Sequence, residues 1–86
     1  MASKTVKVGS SVGLHARPAS IIAEKAAEFE EEITIGIAGE EPVAASSMLL
    51  IMTLGAECGA EVTVESENKE AVAVIAELVA KDLDAD

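Results

Sequence analysis

The sequence predicts an α+β fold of element order βαββαβα, in which a four-stranded sheet carries helices on one side. Three observations predict it. Short segments alternate apolar and polar residues, and longer segments repeat apolar residues every three or four positions. The length, 86 residues with half of them hydrophobic, closes one modest core, so residues 1–86 are expected to form a single domain.

Lys4 to Val8 alternates, with Val6 and Val8 on one face and Thr5 and Lys7 on the other, and reads as a half-buried strand ended by a Gly9-Ser10-Ser11 turn. From Ala16 to Phe29 the residues Ala19, Ile22, Ala23, Ala26 and Phe29 share one stripe. Arg17, Ser20, Glu24 and Glu28 fall mostly away from it, which describes an amphipathic helix. Ile33, Ile35 and Ile37 mark a second strand, and Val43 with Ala45 a short third one across Ala38-Gly39-Glu40-Glu41, a loop of hairpin length. Pro42 has no N–H for a ladder and makes that third strand an edge candidate.

Met48-Leu49-Leu50-Ile51-Met52 is short enough for a strand or a helix; Ser46-Ser47 before it and Gly55 after it favour the helix. Val62 and Val64 alternate with Glu61, Thr63 and Glu65 in a fourth strand. Val72, Ile75, Ala76, Val79 and Leu83 stripe a last helix that Asn68 is placed to cap. With one apolar face per strand and one stripe per long helix, covering one side of the sheet is economical. Thr5, Lys7, Thr34, Thr63 and the glutamates are then left wet. Glu30-Glu31-Glu32 reads as a solvated turn, and the acids of Asp82 to Asp86 oppose the helix dipole, so the tail is expected to fray.

Composition narrows the function. With 16 acidic and 6 basic residues the net charge is −10, which repels nucleic-acid backbones and anionic membranes, so any phosphate must be held locally. Phe29 is the only aromatic residue, leaving no platform for stacking bases. No apolar run is long enough for a signal peptide or a membrane span, and Cys58 has no partner cysteine, so the expected compartment is the cytoplasm. Cys58 is assigned no role, because nothing near it in sequence lowers its pKa. One histidine and one unpaired cysteine argue against a transition-metal site, and no cofactor is called for.

The chemistry concentrates at Gly13-Leu14-His15-Ala16-Arg17-Pro18, where the only histidine falls at or just before the first helical turn. A helix N-terminus offers unpaired N–H groups and partial positive charge, a metal-free anion site. The same field disfavours imidazolium, keeping the ring neutral and nucleophilic toward phosphorus. Arg17 is permanently charged and fork-shaped, suited to phosphoryl oxygens, and Pro18 lacks an N–H that the first turn would leave unpaired anyway. Alone, a histidine in such a place is more often a cap or a surface residue; the full string, following a first strand in a chain of this size, outweighs that.

That hexapeptide, together with Ser47-Met48-Leu49-Leu50-Ile51-Met52-Thr53-Leu54-Gly55, resembles the two signatures of the HPr phosphocarrier family of the bacterial sugar phosphotransferase system, and the resemblance runs nearly end to end. It implies an open-faced sandwich, a four-stranded antiparallel sheet with three helices on one face. It implies that His15 accepts a phosphoryl group deriving from phosphoenolpyruvate through enzyme I and passes it to the IIA component of a sugar permease. Arg17 and the backbone amides of Ala16 and Arg17 would hold the group. The resemblance further implies a monomer that is a carrier rather than an enzyme, and it points to Ser47, with Ser46 as the alternative, as a site for a serine kinase. A transcriptional regulator is a further partner of that kind.

The sequence departs from the pattern at Val12, where the family often has a small polar residue, and at Glu24, Ala27, Ala45 and Leu50, where many members are basic or small. With few basic residues around Arg17, docking is expected to lean on Met48, Leu49 and Met52, since three large residues on a two-turn helix cannot all point inward. Two other readings stay open: a regulatory relative that acts by binding other proteins, against which the retained His15 argues, and a small-molecule or metal-binding α/β module.

Overall fold

A computed structural model describes residues 2–9, 13–14, 16–37 and 39–81. Its elements are β1 (Ala2–Lys7), α1 (Ala16–Ala26), β2 (Ile33–Ile37), β3 (Val43–Ala44), α2 (Met48–Thr53), β4 (Glu61–Ser66) and α3 (Lys69–Ala80), the predicted order. The four strands form one antiparallel sheet of order β1-β4-β2-β3. β3 is an edge, as expected, although Pro42 stands just before it rather than in it, and the helices pack on one face.

Register separates the faces. Val6 opposes Val62, while Ile35 opposes Val64 and Ile37 opposes Val62; with Ile22, Ile51, Ile75 and Val79 these side chains build the core. On the other face Thr5 opposes Thr63, their hydroxyls 2.8 Å apart, and Lys7 opposes Glu61. Lys4 opposes Val64 and so belongs to the helix-covered face, yet stays exposed because β1 is the other edge; an inward-facing charge there discourages pairing with another chain.

The structure moves several boundaries. β1 starts at Ala2, because the ladder continues to the Ala2–Ser66 pair, where no strong hydrophobic alternation marks it. Val8 lies just past the strand, although its N–H still donates to the Ala60 carbonyl at 2.9 Å. α1 stops at Ala26 rather than Phe29, since the N–H groups of Glu28 and Phe29 turn to the carbonyls of Lys25 and Ala26, three residues back. Phe29 nevertheless packs on the core, because such a turn keeps nearly helical spacing. β3 ends at Ala44, and Ala45, fully buried, adds one bond to the Ile33 carbonyl at 2.9 Å.

Both predicted caps are formed. The Ser47 hydroxyl accepts from the Leu50 N–H at 3.3 Å, and the Asn68 Oδ1 accepts from Glu70 and Ala71 at 2.9 and 3.2 Å. Leu83 and the Asp82–Asp86 tail lie outside the described residues, as do Ser10 and Ser11. Because β1 and β4 are antiparallel, one end of the sheet holds Ala2, Ser66 and Ile33, and the other holds Lys7, Glu61 and Ile37. α1 begins at the second end and leads back to the first, where β2 starts.

Candidate functional site

At the second end, Leu14 is the described residue that leads toward α1. Its side chain is buried and its N–H donates to the Ala56 carbonyl at 2.9 Å. His15, the predicted phosphoryl acceptor, lies outside the described residues, and α1 opens immediately after it at Ala16. Ala16 and Arg17 are exposed, whereas Pro18 and Ala19 are buried and fix the first turn onto the core. The backbone N–H groups of Ala16 and Arg17 have no carbonyl a turn earlier within the helix, and no acidic residue stands in this first turn. The α1 N-terminus therefore presents positive potential that no acidic residue of its own first turn cancels.

The Arg17 guanidinium takes part in neither of the two ion pairs among the described residues, Lys25 with Glu28 and Lys81 with Glu77. Its charge is available to an anion arriving at the helix end. Next to α1 packs α2, whose only buried residue is Ile51. Met48, Leu49, Leu50 and Met52 are 37, 70, 41 and 36% exposed, an apolar surface on a helix with no charged residue. Leu50 belongs to this surface although the sequence singled out only the other three.

Sequence reasoning also missed Ala56, whose carbonyl reaches the segment before the histidine; the glycines at 55 and 59 were the available sign that a tight loop returns there. Cys58, in that loop, is exposed. Away from the α1 N-terminus, at the first end of the sheet, a cleft of about 250 Å³ is bordered by Glu31, Glu32, Thr34, Glu65, Ser66 and Glu67. Its carboxylates repel phosphate, so an anion is drawn to the α1 end instead.

A family model described as the PTS HPr component phosphorylation site matches residues 2–81. The chain belongs to the HPr phosphocarrier family. It is 42% identical to the phosphocarrier protein HPr of Streptomyces coelicolor over 87 residues, covering 98% of this chain and 94% of that protein. An HPr from Bacillus anthracis superposes with a TM-score of 0.83 at 33% identity, over 91% of this chain and 95% of that one. HPr-C-His from Thermoanaerobacter tengcongensis gives 0.88 at 28% identity over 100% and 99%. As an HPr, the chain is a phosphocarrier of the phosphotransferase system, and its open-faced sandwich is the fold of these relatives.

An HPr fold with these features places three chemically distinct groups on adjoining elements: unpaired amides at the α1 N-terminus, the Arg17 charge, and the uncharged α2 surface. The first two suit phosphoryl oxygens and the third suits an apolar protein surface.

Proposed function

We propose that this HPr carries its phosphoryl group on His15, from phosphorylated enzyme I to the IIA component of sugar permeases, and so serves phosphoenolpyruvate-dependent sugar uptake in the cytoplasm. The observation that carries the reading is that the chain's only histidine immediately precedes the first residue of α1, whose N-terminus is free of acidic residues. The neutral imidazole attacks phosphorus as the bond from phosphorus to the donor breaks. The same exchange, with this ring now the leaving group, delivers the phosphoryl group to the acceptor. Arg17 and the amides of Ala16 and Arg17 balance the phosphoryl charge in both directions. The partner enzymes complete the catalysis, and this chain is a carrier rather than an enzyme.

Met48, Leu49 and Met52, joined by Leu50, form the surface on which both partners dock, supported by their exposure beside α1. Ser47 is a candidate for kinase phosphorylation as well as the α2 cap, since phosphate at that position would set negative charge against the docking surface. Incubating the chain with phosphoenolpyruvate and enzyme I and analysing for acid-labile phosphate on His15 tests the carrier role. Absence of that phosphate, with a folded chain that still binds enzyme I, would favour a regulatory HPr relative.

A further inference from the structure

α1 fixes the chain only on the C-terminal side of His15, through buried Pro18 and Ala19, and the residues just before the histidine belong to no helix or strand. Leu14 is nonetheless held twice. Its side chain is 4% exposed, and its N–H donates to the Ala56 carbonyl at 2.9 Å. Gly13 makes this approach possible. Its φ is +77°, and a Cβ there would stand 2.4 Å from the Ala56 oxygen and 2.9 Å from the Glu57 Cα. Both obstacles are backbone atoms, which cannot swing aside as a side chain would.

The loop that supplies Ala56 is itself anchored to the sheet. Gly59 N–H donates to the Val8 carbonyl, Val8 N–H to the Ala60 carbonyl and Ala60 N–H to the Glu57 carbonyl, each at 2.9 Å. The side chains of Leu54 and Ala56 are buried as well. The end of β1, the α2–β4 loop and the Gly13–Leu14 segment thus form one hydrogen-bonded unit.

We propose that the α2–β4 loop, through the Ala56 carbonyl, positions His15 for phosphoryl transfer, and that Gly13 is a positioning residue whose missing side chain lets loop and segment meet. The proposal rests on the reading of His15 as the phosphoryl acceptor. In-line attack on phosphorus tolerates little displacement, and a shift of about 1 Å away from a productive geometry costs about 100-fold in rate. The Gly13–Ala56 contact lies on the histidine segment and includes no residue of α2, so its disruption is expected to lower kcat and to leave KM for enzyme I in place.

Gly13→Ala tests this against Gly39→Ala, a control with comparable backbone strain at φ +84° but open space where the methyl would stand. Transfer from phosphorylated enzyme I is measured at a temperature where the variants are folded, and the titration of the His15 ring is followed by NMR. Gly13→Ala is expected to lower kcat by about 100-fold with KM within about twofold of the parent, and to move the ring's titration. Gly39→Ala is expected to match the parent in both. Should Gly13→Ala not fold, Ala56→Gly, which loosens the loop without a clash, is expected to lower kcat at unchanged KM. Equal kcat in the loop variant and the control, or a change confined to KM, overturns the positioning role. A parent chain that takes no phosphate contradicts the phosphocarrier reading instead, and the ring titration then decides the positioning by itself.

Discussion

The Asn68 side chain donates from Nδ2 to Glu31 Oε1 at 3.0 Å while its Oδ1 caps α3, so one amide joins the turn before β2 to the first turn of the last helix. The Glu30-Glu31-Glu32 run is exposed, as a solvated turn should be, but its middle residue makes a tertiary tie. The bond from Asn68 is the main cause that holds the Glu31 carboxyl below its ordinary pKa; a backbone hydrogen bond adds to it and slight desolvation opposes it.

A carboxylate whose pKa is depressed by folding stabilises the fold above its unfolded pKa, and that contribution disappears as the pH falls through the folded value. Glu31→Gln should therefore be less stable than the parent near neutrality, with the difference closing in acid below 4.5. Asn68→Ala, which also removes the cap, should cost about 1 kcal/mol or more at pH 7. Urea denaturation across pH checks both, and a Glu31→Gln deficit that persists undiminished in acid would mean the tie is not electrostatic.

Methionines that dock and a core isoleucine that packs fail in different ways. Ile51→Ala should cost about 2 to 5 kcal/mol of stability, since Ile51 is fully buried. Met48→Ala and Met52→Ala should keep most of their stability and lose affinity for enzyme I, by more than about 1 kcal/mol if either is an anchor. Because apolar burial is little screened, binding should weaken only modestly with salt. Calorimetric titration at two salt concentrations checks this; a steep salt dependence with unaffected methionine variants would give the docking energy to Arg17 and its few cationic neighbours.

Arg17→Ala should slow phosphoryl transfer without abolishing it, because the amides of the α1 N-terminus remain. Each charge-assisted hydrogen bond lost is worth roughly 1.5 to 3 kcal/mol. Stopped-flow transfer rates equal to those of the parent would show that Arg17 is only a solvated side chain.

Much of this architecture was legible in the sequence because the periodicities are clean. Ile33, Ile35 and Ile37, and Val62 with Val64, announced their strands, and Ser47 and Asn68 announced their helices through caps that are formed as expected. The ends of elements were less legible: Ala2–Ser66 pairing depends on a partner strand 64 positions away, and the i−3 turn at Phe29 imitates helical spacing. At the site, the hexapeptide and the exposed methionines could be read locally. Leu50 could not be assigned to the surface until Ile51 was seen to be the buried residue of α2. The Ala56 contact left no periodic trace at all, since it joins two loops 42 positions apart.

The central claim is that the phosphoryl group resides on His15. It is tested most directly by incubating parent chain and His15→Ala with phosphoenolpyruvate and enzyme I and measuring acid-labile, base-stable phosphate on each, with circular dichroism to verify the fold. The account predicts one phosphate per parent chain and none on a folded His15→Ala; phosphate of that kind on the variant, or none on the parent, would contradict it.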